Sequence, residues 1–227
     1  MRLVLWDIDM TLVVLPGVGL DWYGRAMANT VGAELLHRPA LGGRTDLAIA
    51  TELLTAHGVE ASEEVVGALF AEVTVIAGAE AHTVAERGHV LPGAREALAA
   101  LAGTPRVVQT LVTGNLAALA GHKLTPFGLD THLDLGIGGY GELSAHRPDL
   151  VAAAVRKAEA KHGCRFAPDS VVVIGDTPHD VDAALQNGAV AVGVATGGAS
   201  EQDLREAGAH HTLRDLSNTA QVLAAVL

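Results

Sequence analysis

Thiols, lysines and long apolar runs are all scarce in this chain of 227 residues. Its one cysteine, Cys164, leaves no partner for an internal disulfide and no basis for a zinc site built on thiolates. The expected setting is therefore a reducing cytoplasm. Only three lysines occur (Lys123, Lys157, Lys161), and Lys plus Arg total 15 against 26 Asp plus Glu, a formal charge of −11. Nucleic acid and anionic membrane both need a basic face, so neither is expected as a partner. With lysine so rare, an arginine is expected to fill a post that lysine often holds. The longest uncharged stretch, Ala183 to Ser200, is broken by Gln186, Asn187 and four glycines, and reads as helix end, turn, strand and loop rather than a membrane span. At the start, Arg2 is followed by only four apolar residues before Asp7, which does not make a signal peptide.

Hydrophobic residues make up 49% of the chain, enough for one large domain or a domain with a smaller insert. Short apolar runs alternate with helical patterns through the second half, the layout of a parallel sheet wrapped by helices. Strands are predicted at Leu3 to Trp6, Val107 to Val112, Val171 to Ile174 and Ala189 to Val194. Each later strand runs into a small or polar cluster: Thr113-Gly114-Asn115, Gly175-Asp176 and Thr196-Gly197-Gly198. Several loops should thus converge at the carboxyl edge of one sheet. Between Pro16 and about Arg87 the periodicity is helical instead, with helices expected at Asp21 to Leu36, Asp46 to His57 and Ser62 to Glu86. The expectation is an α/β core of residues 1–15 and 88–227 carrying a helical cap of residues 16–87. Gly17, Gly19, Gly88 and Pro92-Gly93 flank that insert as candidate hinges. There is no internal repeat and no low-complexity tract.

The first strand ends in Asp7-Ile8-Asp9-Met10-Thr11. A period of two puts both carboxylates on one face at the strand tip, where open α/β sheets bind ligands. Two carboxylates so close call for a cation, a shared proton, or both. Further along stand Thr113-Gly114-Asn115, then Arg147-Pro148 before a helix, then Gly175-Asp176-Thr177-Pro178-His179-Asp180. In that order, at those strand ends, the four motifs resemble the haloacid dehalogenase superfamily of aspartate-nucleophile phosphatases. The helical insert, Gly43-Arg44-Thr45-Asp46 within it and Leu91-Pro92-Gly93 at its exit resemble the subgroup of phosphoglycolate phosphatases and β-phosphoglucomutase.

The resemblance implies a doubly wound, Rossmann-like core and a Mg²⁺-dependent hydrolase of a small phosphorylated metabolite, in the manner of phosphoglycolate. Asp7 would be the nucleophile that becomes an aspartyl phosphate, and Asp9 the general acid and base. The presence of Asp9 favours phosphoryl transfer over carbon–halogen cleavage. Mg²⁺ suits hard oxygen ligands, and the resemblance assigns it the Asp7 and Asp176 carboxylates and the Asp9 carbonyl. Asp180 would support those ligands, although Thr177 to Asp180 reads equally as a helix start. Thr113, with the amides of Gly114 and Asn115 at the start of a helix, would receive the phosphoryl oxygens; the same tripeptide would serve as an ordinary helix cap. Arg147 stands where the family more often has lysine, to bridge phosphate and nucleophile, with a fixed fork in place of a mobile point charge. Met10 stands where glycine is common, a departure that bears on the turn after Asp9. Arg44 is the candidate for a second anionic group on the substrate, or else a solvated arginine ahead of a helix.

Two rival activities share these features. A phosphomutase uses the same nucleophile with a sugar in place of water. A regulatory protein could keep the fold without turnover. A phosphonatase is disfavoured because the insert has no lysine to form an imine. Gly136-Ile137-Gly138-Gly139-Tyr140-Gly141 matches a dinucleotide fingerprint by spacing only, since Glu142-Leu143-Ser144 opens no small-residue helix after it, and it reads as a loop. Eleven histidines are scattered, and the sequence leaves the oligomeric state open.

Overall fold

The computed structural model describes residues 1–227. Strand β1 is Arg2–Trp6, and a two-residue strand β2, Val13–Val14, follows the aspartate motif. Helices α1 (Val18–Val31), α2 (Asp46–Ala56), α3 (Glu63–Glu80) and α4 (Val84–Arg87) come next, with a 3₁₀ turn at Ala81–Thr83. The chain returns through β3 (His89–Val90), α5 (Ala94–Ala102), β4 (Val107–Leu111), α6 (Ala117–Leu124) and α7 (Arg147–His162). It ends with β5 (Val171–Gly175), α8 (Pro178–Gln186), β6 (Val190–Val194), α9 (Glu201–Glu206), β7 (His211–Leu213) and α10 (Thr219–Val226).

Five strands form one sheet in the order β4-β1-β5-β6-β7, and every pair is parallel. Parallel strands must be buried on both faces, because crossover helices cover both. The parity of the strands shows it directly. Val4, Trp6, Val172, Ile174, Val192 and Val194 face one apolar layer with Leu98, Leu101 and Val222 from α5 and α10. Leu3, Leu5, Val171, Val173 and Ala191 face the other, with Leu150, Ala154 and Val181 from α7 and α8. The chain leaves β1 for β4 on one side and builds β5 to β7 on the other, so the sheet edge beyond β1 is the switch point where such sheets form crevices.

Helices α1 to α3 gather a third apolar cluster of their own, which also takes in Leu116 and Leu119 beside and within α6. The stretch Glu63–Arg87 is long and apolar enough by composition to cross a membrane. Its buried stripe of Val66, Leu69, Val73, Ile76 and Ala77 belongs to this cluster, and α3 packs on α1, α2 and α6. The two passages between insert and sheet lie side by side, since β2 and β3 pair antiparallel, Val13 with Val90 and Val14 with His89.

The helices depart from expectation mainly at their ends. The expected helix Asp21 to Leu36 starts earlier, at Val18, and stops at Val31, because Gly32 takes a left-handed φ of 68° and its N–H closes onto the Ala28 carbonyl. The expected Ser62 to Glu86 is capped by Ser62 but breaks into a 3₁₀ turn after Glu80. Strand β7 and the β2–β3 ribbon, at two or three residues each, are too short to show a periodicity.

Met10 has φ 60°, and its carbonyl accepts a hydrogen bond from the Thr196 hydroxyl at 2.5 Å. A side chain in that region costs about 1 kcal/mol. Met10→Gly should therefore raise Tm by about 2 °C in a thermal unfolding experiment. An unchanged or lower Tm would show that packing by the Met10 side chain outweighs the strain.

Candidate active site

At the carboxyl ends of β1 and β5 the structure gathers Asp7, Asp176 and Asp180. One carboxylate oxygen from each lies within 4.8 Å of the others, and all three residues are buried. Asp7 follows β1 directly, and its N–H donates to the Ile174 carbonyl at 2.9 Å, which fixes it beside β5. Asp176 follows β5 and accepts from the Thr11 hydroxyl at 3.4 Å. Asp180 sits in the first turn of α8, where it and Thr177 cap each other. The helix-start reading of Thr177 to Asp180 holds, and the same Asp180 carboxylate lies beside Asp7 and Asp176.

Arg147, the first residue of α7, enters this group with its side chain 6% exposed. Its Nη2 lies 2.9 Å from Asp7 Oδ1 and contacts Asp180 Oδ1. Burial disfavours its charge, but Asp180 and Asp7 outweigh that and hold the guanidinium more firmly protonated than usual. Burial likewise pushes the Asp7 carboxyl up to about 6, with Arg147 opposing and Asp180 and Asp9 adding to it. Asp176 is pushed up to about 8 by burial and by the charges of Asp7 and Asp180. Three carboxylates share one guanidinium, so full ionisation leaves two negative charges uncompensated in a poorly solvated place. Asp180 Oδ1 has no partner besides that guanidinium. Hard oxygen donors and that deficit fit a divalent cation of the Mg²⁺ type.

Asp9 is arranged differently. Its side chain is 42% exposed and turns to Lys123, whose ammonium lies 2.8 and 2.6 Å from the two carboxylate oxygens. Asn115 joins them, donating to Asp9 Oδ2 at 2.7 Å and accepting from Lys123 at 2.6 Å. The carboxylates brought together by the fold are therefore Asp7, Asp176 and Asp180, with Asp9 lining the same cavity but held by Lys123 and Asn115. Lys123 was missed in the sequence. The signal was present, because Leu116, Leu119 and Lys123 fall on one helical stripe whose first two members are buried against the insert. A lysine on such a stripe marks a buried cation in need of a partner.

The Thr113 tripeptide differs from expectation. Helix α6 begins at Ala117, two residues beyond Asn115, and its first amides are occupied: Leu116 N donates to Asp46 Oδ2 at 2.8 Å, and Ala117 N approaches the Glu142 carboxylate. The Asn115 N–H points back to Thr113 Oγ1 at 3.3 Å. Gly114 and Asn115 are thus a turn ahead of a helix, and the helix terminus serves the protein's own carboxylates. Arg44 lines the same cavity, but its guanidinium lies 2.6 Å from Glu52 and donates to the Ala40 carbonyl at 3.2 Å.

The glycine-rich loop is part of the site's frame. Gly139 pairs with Val112 at the end of β4, and Gly141 N donates to the Asn115 carbonyl at 2.8 Å. From the insert, Asp46 N donates to the Gly114 carbonyl at 2.7 Å and Leu47 N to the Gly141 carbonyl at 3.1 Å. Three backbones meet so closely that a Cβ on Gly141 would stand 1.7 Å from the Gly114 oxygen. Glycine is required there for close approach rather than for a cofactor.

This arrangement defines an α/β enzyme with an acidic crevice at its switch point. Residues 4–185 match the haloacid dehalogenase-like hydrolases, and the chain belongs to that family. No curated protein matches it in sequence. Among solved structures it is similar to a hydrolase from Pseudomonas syringae (TM-score 0.68, 22% identity, covering 100% of this chain and 99% of that one). It is similar also to a Clostridium acetobutylicum protein named as a predicted phosphatase (0.69, 19%, 98% of each). A third is a Haemophilus somnus protein named as a predicted phosphoglycolate phosphatase (0.64, 20%, 98% of each). At these identities the likeness establishes the fold.

The acidic cluster carries a pH signature. A carboxyl raised in the folded state keeps its proton there while the unfolded chain has lost it, so the stability it contributes is full below about pH 4 and falls as pH rises towards about 8. A divalent cation would offset the repulsion that grows over that interval. The rise in Tm given by saturating Mg²⁺ should accordingly be larger at about pH 8 than at about pH 5. No shift at either pH would show that the cluster binds no such ion, and equal shifts that binding does not draw on the raised carboxyls.

Proposed function

We propose that the protein is a Mg²⁺-dependent phosphatase of small phosphomonoesters, acting through an aspartyl phosphate on Asp7. The observation that carries the reading is the placement of Asp7 against the Arg147 guanidinium, in a buried acidic crevice, with a second carboxylate, Asp9, facing the same cavity. Residues 1–15 and 88–227 would form the catalytic core and 16–87 the cap, as in the phosphoglycolate phosphatase and β-phosphoglucomutase subgroup.

In the first step an Asp7 carboxylate oxygen attacks phosphorus, the ester P–O bond breaks, and the leaving alkoxide takes a proton from Asp9. In the second, Asp9 takes a proton from water, the water oxygen attacks phosphorus, and the bond to Asp7 breaks to release phosphate. Asp9 ends as it began, and the sum is one ester and one water giving one alcohol and one phosphate. Arg147 and the Thr113 hydroxyl would meet the phosphoryl oxygens, with the Gly114 and Asn115 turn shaping their cradle. Asp7 and Asp176, with the Asp9 carbonyl, would hold Mg²⁺, and Asp180 would steady both Arg147 and the ligands. When bound, the ion would neutralise charge on the carboxylates and the phosphoryl group. Lys123 and Asn115 would be positioning residues, setting where Asp9 presents its proton.

Asp7→Asn should abolish turnover of a generic aryl phosphate and the acid-stable trapping of phosphate on the protein. Asp9→Asn should lose about 10²-fold in kcat, and Lys123→Met a comparable factor through misplacement of Asp9. Wild-type turnover by Asp7→Asn would sink the reading. Product analysis tells phosphate release from transfer to a sugar.

A further inference from the structure

The cavity between sheet edge and insert, about 330 Å³, has two chemically different ends. One holds Asp7, Asp176, Thr113 and Arg147. The other is walled by Leu15, Leu20, Ile49 and Leu119, with Tyr23 and Asp46 among its polar groups. Tyr23 is 3% exposed, and its hydroxyl lies beside the Asp46 carboxylate without making a hydrogen bond of good geometry to it or to any other group. A buried hydroxyl left with so loose a contact is uncommon in a native protein and calls for an explanation. Its residue lines a cavity, which supplies one.

Charge decides what else the far end can take. Three cations line the cavity, and each is engaged: Arg147 with Asp7 and Asp180, Lys123 with Asp9, and Arg44 with Glu52 and the Ala40 carbonyl. Asp46, which lines the cavity while its Oδ2 accepts from Leu116 N, would repel a second anion, and burial raises its carboxyl to about 6 despite Lys123 nearby. A carboxylate placed there would lose its water and gain no free cation.

We propose that the leaving group this cavity accepts is an uncharged alcohol with an apolar carbon body and one hydroxyl that meets Tyr23, and that the Arg44–Glu52 pair excludes esters bearing a second anionic group. The proposal rests on the phosphatase reading above, and it turns the expected role of Arg44 around. A volume of this size, near the small end for ligand sites, suits a substrate of few carbons beyond the phosphate.

The test compares kcat/KM for butyl phosphate, its terminally hydroxylated analogue and its terminally carboxylated analogue, with phenyl phosphate as a reference for the chemistry alone. The hydroxylated ester should exceed the carboxylated one by at least about 10-fold. Tyr23→Phe should lower the hydroxylated-to-butyl ratio several-fold; because each enzyme supplies its own reference, a general loss of activity cancels. Glu52→Gln, at a half-exposed position outside the cavity lining, should release Arg44 and raise the carboxylated-to-butyl ratio several-fold. A wild-type preference for the carboxylated ester, or ratios indifferent to both substitutions, would overturn the proposal while phenyl phosphate turnover left the phosphatase reading standing. Absence of phenyl phosphate turnover with Mg²⁺ would remove both.

Discussion

The rest of the site depends on how the protein keeps Asp7, Asp176 and Asp180 together away from water. Like charges within 4.8 Å repel strongly in a poorly screened place. Arg147 answers part of that repulsion by reaching Asp7 and Asp180 with a single guanidinium nitrogen. To do so it must be the first residue of α7, whose opening is fixed by Pro148 and whose buried Leu150 and Val151 anchor it under the sheet. A lysine in this post could rotate a point charge among three acceptors, whereas a planar fork is committed to one direction. Placement of Asp7 is thus tied to helix packing on the far side of the sheet, and the remaining negative charge is what makes a divalent cation fit.

A second dependency runs through α6. Its start is capped by Asp46 from the insert and by Glu142 after the glycine-rich loop, while its body carries Lys123 to Asp9. Leu116 and Leu119 are buried in the same cluster as α1 to α3. The insert is therefore fastened at the level of the active site, by the amides of Asp46 and Leu47 on the carbonyls of Gly114 and Gly141. Motion of the insert would break backbone hydrogen bonds next to Asn115, one of two partners that hold Asp9. The position of the insert and the placement of Asp9 are mechanically linked in this arrangement.

Much of this was legible in the sequence, and the reason is periodicity. Strands buried on both faces appear as continuous apolar runs, and each of the four expected strands occurs within a residue or two of its place. Helix ends followed local chemistry only in part: Thr45 and Ser62 cap their helices, but Gly32 stops α1 well before Leu36 and the apolar pattern of α3 gives no warning of the break after Glu80. Met10 was visible as an unusual residue, and the left-handed turn it adopts follows from the need to turn the chain back immediately after β1.

The sequence by itself determined the α/β class, the helical insert and the order of the four strand-end motifs, because strand period and chain order are local properties. Only the tertiary structure decided which charges meet. It paired Asp9 with Lys123, 114 residues away, and turned Asn115 to both. It drew Asp180 into the carboxylate cluster and gave Arg44 to Glu52. It also made a glycine-rich loop into a frame for the site. Those outcomes depend on helices from different parts of the chain packing onto one sheet edge, and no local pattern in a single sequence records which side chains that packing leaves face to face.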